Sequence, residues 1–367
     1  MTDEGGSPLI SVVIPVFNGA RTLPRCFASL QASTFTDWEG ILVDDGCTDA
    51  SPDIARAAGF RVVATDRPHC GPAVARNVGA RTARGDILLF LDADVAVQPD
   101  SLARVAEVFR SDPGLAACFG SYDEAPADEG FLSQYKNLFH HYVHQSAREE
   151  ASTFWSGCGA VRRDIFLALG GFDPSYTRPT IEDIELGYRL RRAGYRIRLE
   201  KRLQVKHMKR WTVRSLIQSD VLDRGILWTR LILATRTLPN DLNVQTGSRL
   251  SVAALYLLIF CLLLGFWWWP LWLAAVALAF LIAALNWPLY RFFARKRGWW
   301  FALRAWPWHW LYLWYSGLSF LIGLGQHLLS RRQATVASLS PFFPGEGVGT
   351  TGAGGSEAVI QPSKEVL

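Results

Sequence analysis

The chain has 367 residues, a net charge of +5 and half of its residues hydrophobic. That length suits one catalytic domain plus an accessory part, and so small a charge gives no argument for nucleic acid as a partner. Its six cysteines are scattered without a C-x-x-C pair, so neither a zinc knuckle nor a disulfide framework is supported.

Residues 1–8 are short and polar, with no basic start before an apolar core, so no secretory signal is expected and the soluble part should stay in the cytosol. Ile10 to Asn18 then reads as an apolar strand ending in Pro15 and Asn18. Ile41 to Asp49 is a second strand ending in Asp44, Asp45 and a Gly46 turn. Ser51-Pro52 has the form of an N-cap followed by proline at the first helical position. Gly71 to Gly79 opens another helix, and Ile87 to Leu91 is a fully apolar strand. Strand and helix alternate with short loops, the pattern of a mostly parallel, Rossmann-like α/β sheet. Ligands of such sheets bind beyond the carboxyl ends of the strands, where these acids and glycines fall.

Leu91 runs directly into Asp92-Ala93-Asp94. Alternate residues of an extended chain point to the same side, so Asp92 and Asp94 can face one ion together. Hard oxygen ligands of this kind suit Mg²⁺ or Mn²⁺ carrying a diphosphate. The plainer reading is a pair of solvated turn residues.

The blocks Ser11–Asn18, Val43–Asp49, Gly71–Gly79 and Leu91–Asp94, in this order, resemble the family 2 glycosyltransferases of GT-A fold. Phe154–Arg163, Gly170–Asp173 and Ile181–Leu190 resemble the acceptor-side blocks of that family. The likeness covers roughly residues 9–211 and implies an inverting transfer of sugar from a nucleotide-sugar donor, with UDP-sugar the first choice. It implies that Asp44 and Asp45 contact the nucleobase and ribose, and that Asn18 and the backbone of Pro15 to Phe17 line the same pocket. Arg76 would approach the nucleotide, or would be a surface helix arginine. Asp94 is the first choice for direct metal ligation, with Asp92 on the ribose or sharing the metal. Gly157 and Glu182 fall on the acceptor side. Asp183 would take the acceptor proton, although Glu182 and Asp183 would also suit the positive end of a helix over 182–193 on structural grounds alone.

His207 closes a strand expected over 195–206, and by resemblance completes the metal shell; packing is the alternative. His207 to Trp211 reads H-x-x-R-W where processive synthases of the family carry Q-x-x-R-W. That departure puts processivity in doubt and leaves Trp211 to stack on an acceptor or to sit at a membrane surface. His140 and His144 lie four apart on a helix without a matching E-x-x-H, so an interfacial or acceptor-side helix is preferred to a metal site.

From Tyr188 to Arg210 there are ten Lys or Arg and one acid, a strip that is a solvated face or a rest on anionic headgroups. Mixed basic and apolar residues over 206–248 predict amphipathic interfacial helices. Leu250 to Tyr290 then runs 41 residues without Lys, Arg, Asp or Glu. A crossing needs about 20 apolar residues, so two crossings are expected, turning at Trp267–Pro270. Ala305 to Ser330 is a third uncharged stretch, expected to cross. Arg291, Arg295, Lys296, Arg297 and Arg304 place the loop between the second and third spans on the cytosolic side, with the catalytic domain. The expected organisation is therefore a GT-A domain over 9–205, interfacial helices over 206–248, a multi-pass inner-membrane region over 249–330 and a disordered tail over 331–367. The expected acceptor is a hydroxyl of a lipid, glycolipid or lipid-linked saccharide. A polyprenyl phosphate is the near alternative. A small processive synthase, a sugar nucleotidyltransferase and a non-catalytic membrane scaffold are the remaining ones. A nucleotidyltransferase would usually carry a glycine-rich loop after the first strand, where Phe17 to Arg21 has one glycine.

Overall fold

In the computed structural model, residues 8–330 are described; the expectations for residues 1–7 and for the 331–367 tail lie outside them. An eight-stranded sheet forms the centre, with order β3-β2-β1-β4-β7-β6-β8-β5. Its strands are β1 (Ile10–Val16), β2 (Trp38–Asp44), β3 (Arg61–Ala64), β4 (Ile87–Leu91), β5 (Val95–Val97), β6 (Leu115–Tyr122), β7 (Cys158–Arg162) and β8 (Arg196–His207). The first four are parallel, β7 runs against both β4 and β6, and β5 runs against β8. Every residue of β4 is buried, as expected of a strand covered on both faces.

Helices α1 (Leu23–Gln31), α2 (Ser51–Ala57), α3 (Pro72–Thr82), α4 (Ser101–Ser111), α5 (Phe131–Ser146), α6 (Arg163–Ala168) and α7 (Glu182–Arg192) accompany the sheet. Two apolar layers result. One joins Ile14, Phe27, Leu89 and Leu102; the other joins Val13, Phe90, Phe154, Phe172 and Leu186. The start of α2 differs from the expected cap. Ala50 is the N-cap, Ser51 is already helical, and its hydroxyl instead accepts the Gly19 amide at 2.9 Å and donates to Asp49. This bond ties the loop after β1 to α2.

Beyond β8, a single helical run comprises α8 (Val213–Ile217), a π-helical stretch Gln218–Gly225, and α9 (Ile226–Thr235). Helices α10 (Thr246–Leu264), α11 (Pro270–Leu285), α12 (Trp287–Arg297) and α13 (Trp299–Ser330) follow. Helices α10 and α11 form a hairpin whose turn carries Trp267, Trp268 and Trp269, all exposed. Lys296 pairs with Glu124, and Arg297 donates to the Glu124 carbonyl at 2.6 Å, so the basic end of α12 lies against the catalytic domain.

The expectation of about three crossings is corrected here. Among the described residues one helix, α10, is long and apolar enough to cross a membrane, or two if α11 and α12, bent by 56°, act as one span. Helix α13 is long enough but carries Arg304, His309, Tyr312, Ser316, Ser319 and Gln326. Tyr315 on α13 donates to Asp220 of the π-helical stretch at 2.7 Å, so one face of α13 is committed to protein.

Candidate active site

The strand ends set the site. The parallel register Val16↔Asp44 brings the loops after β1 and β2 side by side, and β4 delivers Asp92 to the same edge. A cleft of about 620 Å³ opens there. Pro15, Phe17, Asn18, Asp45, Arg76, Asp92 and Asp94 all line it. Asp44 does not: its carboxylate accepts the amides of Gly46 and Cys47 at 3.1 and 2.7 Å and shapes the turn.

Asn18 sits at φ +55° and accepts the Thr48 amide at 2.8 Å, fixing the left-handed turn after β1. Asp45 spends both oxygens on the next loop, accepting Cys70 N and Gly71 N, each at 2.8 Å. Gly71 is at φ +88°, and a Cβ there would stand 2.3 Å from the Thr177 carbonyl, so only glycine closes this wall. Phe17 is half exposed and meets the His69 ring edge-on at 4.5 Å. Its free face is a stacking surface for a planar ring.

Arg76 is buried and uses both terminal nitrogens on carboxylates. It reaches Asp92 at 2.8 Å and Glu182 at 2.9 Å. Glu182 is buried too and also accepts the Thr180 amide at 2.8 Å. One guanidinium thus links the end of β4 to the start of α7. Burial pushes Asp92 above the usual carboxylate range, against the pull of Arg76.

The antiparallel pairing Val95↔His207 places the last residue of β8 next to Asp94. His207 Nε2 is 3.6 Å from Asp94 Oδ2, and the imidazole stacks on Tyr122 with ring centroids 4.0 Å apart. Burial alone would raise Asp94, but His207 and Lys209 hold its carboxyl below the usual range. Among the described residues no group of three His, Cys, Asp or Glu side chains is set to hold a metal. Asp92 and Asp94 line the cleft, whereas His207 is buried behind Asp94 and does not line it. Two carboxylates at a cleft nonetheless fit Mg²⁺ or Mn²⁺, because such ions take one or two side chains and complete their shell with water and substrate phosphate oxygens.

Asp183, one residue into α7, accepts the Ser156 amide at 3.0 Å and the Ser156 hydroxyl at 3.2 Å. Burial and the neighbouring Glu182 push its carboxyl up to about 6, against the Ser156 amide, Arg76 and Arg224. Gly157 belongs to the same loop. Its carbonyl accepts the Asp92 amide at 3.2 Å, and a Cβ on it would stand 2.4 Å from the Trp155 indole. Trp211 is buried, with Lys209 Nζ 4.3 Å from its ring centroid, and packs between the catalytic domain and the helices beyond it. His144 bonds the Gly120 carbonyl through Nδ1 at 3.0 Å, and burial pushes it down to about 4.

Sequence reasoning missed Arg21, His69, Arg178 and Lys209, which also line the cleft. Lys209 had a signal, since it falls in the basic run before Trp211. Arg178 had none, because it lies in an irregular loop. Ser156, missed as a partner of Asp183, lies in the Phe154–Arg163 block but meets it only across 27 residues of chain.

Residues 11–170 match the family model "Glycosyl transferase family 2". The chain is 30% identical over 174 residues to an uncharacterized glycosyltransferase of Haemophilus influenzae, covering 44% of this chain and 56% of that protein. It is 29% identical over 229 residues to validoxylamine A glucosyltransferase of Streptomyces hygroscopicus, covering 51% of this chain and 52% of that one. The chain thus spans about half the length of the curated relatives it matches. A solved mannosyltransferase of Pyrobaculum calidifontis, in complex with GDP-Man and Mn²⁺, superposes over 86% of this chain and 87% of its own, with a TM-score of 0.53 and 20% identity, which is a likeness of fold. Residues 11–170 thus match a glycosyltransferase family 2 model, and the fold is like that of the solved mannosyltransferase.

Proposed function

We propose that the protein is a membrane-bound, metal-dependent inverting glycosyltransferase. It moves one sugar from a nucleotide-diphosphate sugar, UDP-sugar in the first instance, to a hydroxyl of a lipid, glycolipid or lipid-linked saccharide at the cytosolic face of the inner membrane. The carrying observation is Asp183. It is a buried carboxylate fixed by Ser156, with its pKa raised towards neutrality, one residue from the Glu182 that Arg76 ties to Asp92. A general base works best when its pKa lies near the working pH.

In this reading Phe17 stacks the nucleobase, while Asn18 and Asp45 shape the nucleoside pocket. Asp94 and His207 would hold Mn²⁺ or Mg²⁺, with Asp92 beside them. When bound, the ion supplies charge neutralisation on the leaving diphosphate. Lys209, Arg21 and Arg178 face the same cleft and add positive charge there. Asp183 takes the proton of the acceptor hydroxyl as its oxygen bonds to the anomeric carbon. The bond from that carbon to the diphosphate breaks, and nucleoside diphosphate leaves. Arg76 and Glu182 position this machinery rather than touch the reacting atoms. Gly157 lets the acceptor-side loop pass close to Trp155. The membrane attachment rests on α10 and on the apolar hairpin it forms with α11. Domain limits near 9–205, 206–248 and 249–330 are part of the same proposal.

The test is Asp183→Asn, assayed with a hydroxyl-bearing glycolipid and separately with a polyprenyl phosphate. Loss on the glycolipid with nucleotide binding retained is expected. Substantial activity of the variant on the phosphate would replace the hydroxyl reading, because a phosphate is already a nucleophile at neutral pH.

A further inference from the structure

A second cavity, of about 760 Å³, lies outside the donor cleft. It is enclosed by α5, the π-helical stretch, α9, α10 and α13, and its size falls within the roughly 300–1,000 Å³ of small-molecule sites. Its walls are mostly apolar. Leu238, Phe320 and Leu321, each about half exposed, bring it to the outer surface of the helices. Its polar groups are Lys136, Asp220, Arg224, His140 and His144 of α5 and the π-helical stretch, with a few from the walls.

The charges among those groups do not cancel. Lys136 pairs with Asp220, which also accepts the Tyr315 hydroxyl at 2.7 Å. Burial holds His140 and His144 towards their neutral forms. Arg249, at the α10 wall, donates only to the neutral Asn240 and Thr246, and Arg224 has no hydrogen bond or ion pair among the described residues. Two guanidinium charges in a largely apolar cavity therefore lack a carboxylate, and that of Arg224 lacks any partner. His140 Nδ1 is a buried ring nitrogen with no hydrogen-bond partner. An unpaired guanidinium in such a place favours an anion with several acceptor oxygens. The π-helical geometry of the segment bearing Arg224 is itself uncommon and frequent at functional sites. His140 and His144 of the cavity wall lie against the Trp155 ring, with centroids 4.9 and 5.6 Å away, and the next residue, Ser156, donates to Asp183, so the cavity adjoins the acceptor side of the transfer site.

We propose that this cavity is the acceptor-lipid site. The hydrocarbon chain fills the apolar part between α9, α10 and α13, and Arg224 receives the phosphate that joins the chain to the portion presented to Asp183. The inference rests on the transferase reading above and narrows its acceptor to a phosphate-bearing lipid.

The test uses the full chain in detergent micelles and two probes with a diazirine at the chain end, geranylgeranyl phosphate and geranylgeraniol. Photolabelling with the phosphate should map to cavity residues of α9, α10 and α13, and excess inorganic phosphate should not displace it. Arg224→Gln should lower labelling by the phosphate about tenfold and leave that by the alcohol unchanged. Ala253→Trp, at an exposed position of the cavity wall, should lower both. Labelling spread over the outer faces of α10 and α11, or unchanged by both variants, overturns the proposal. So does displacement by inorganic phosphate. Release of nucleoside diphosphate from nucleotide sugars, measured in the same preparation, separates the two readings. Release without cavity labelling sinks the lipid site alone. Cavity labelling without release from any nucleotide sugar sinks the transferase reading.

Discussion

Arg76→Met would leave Asp92 and Glu182 without the cation between them. Both pairs are short, at 2.8 and 2.9 Å, but they are not equal. The Glu182 side chain is 4% exposed, whereas that of Asp92 is 34% exposed and partly solvated. Removing one partner of a buried ion pair costs about 3–5 kcal/mol, while an exposed pair contributes about 0–1 kcal/mol. Glu182 therefore dominates. At about 2–4 °C per kcal/mol for a domain of this size, the melting temperature should fall by about 6–20 °C. Differential scanning fluorimetry of the full chain in detergent reads it. The deficit should shrink at acid pH, because carboxylates that have lost their cation can take up protons. Arg76→Lys should recover only part of the loss, since an ammonium cannot bridge both carboxylates as a planar fork does. A variant that melts with the wild type would refute the positioning role.

Asp183→Asn should cut transfer about 10²–10⁴-fold while nucleotide affinity, read by calorimetry, stays unchanged. In the wild type kcat/KM should fall as pH drops through about 6, since the base works only when ionised and its carboxyl is raised to that range; a flat profile from pH 5 to 8 would contradict it. His207→Ala should weaken Mn²⁺ binding in the presence of nucleoside diphosphate more than it lowers the melting temperature, and unchanged Mn²⁺ affinity would return His207 to packing on Tyr122. Cysteine labelling of sealed vesicles should reach Trp267–Pro270 from the outside and Arg295–Arg297 from the inside; labelling of both from one side would exclude the hairpin crossing.

Four of the eight strands, β1, β2, β4 and β8, were legible because they announce themselves locally, whereas the short β3 and β5 and the tertiary-placed β6 and β7 were not read from the sequence. Ile87–Leu91 is apolar throughout and is β4 to the residue, and the run closing at His207 is β8. The strand-end acids were legible for the same reason. Their partners were not, since an arginine that looks like any helix residue is placed by tertiary packing between Asp92 and Glu182, 106 positions apart from the latter. The second cavity was invisible, because it is assembled from α5, α9, α10 and α13, and no local pattern records that meeting. The third crossing was overcalled because an uncharged stretch was read as an apolar one. Helix α13 lacks acids but spends tyrosines, serines and histidines on protein contacts.

The central claim is sugar transfer from a nucleotide donor to a lipid. The most direct measurement incubates the purified full chain with a panel of nucleotide sugars, Mn²⁺ and a total lipid extract, followed by mass spectrometry. The account predicts that one donor yields nucleoside diphosphate together with a lipid heavier by one sugar residue, and that both are lost in Asp183→Asn. Absence of product with every donor, or a product carrying the nucleotide, would contradict it.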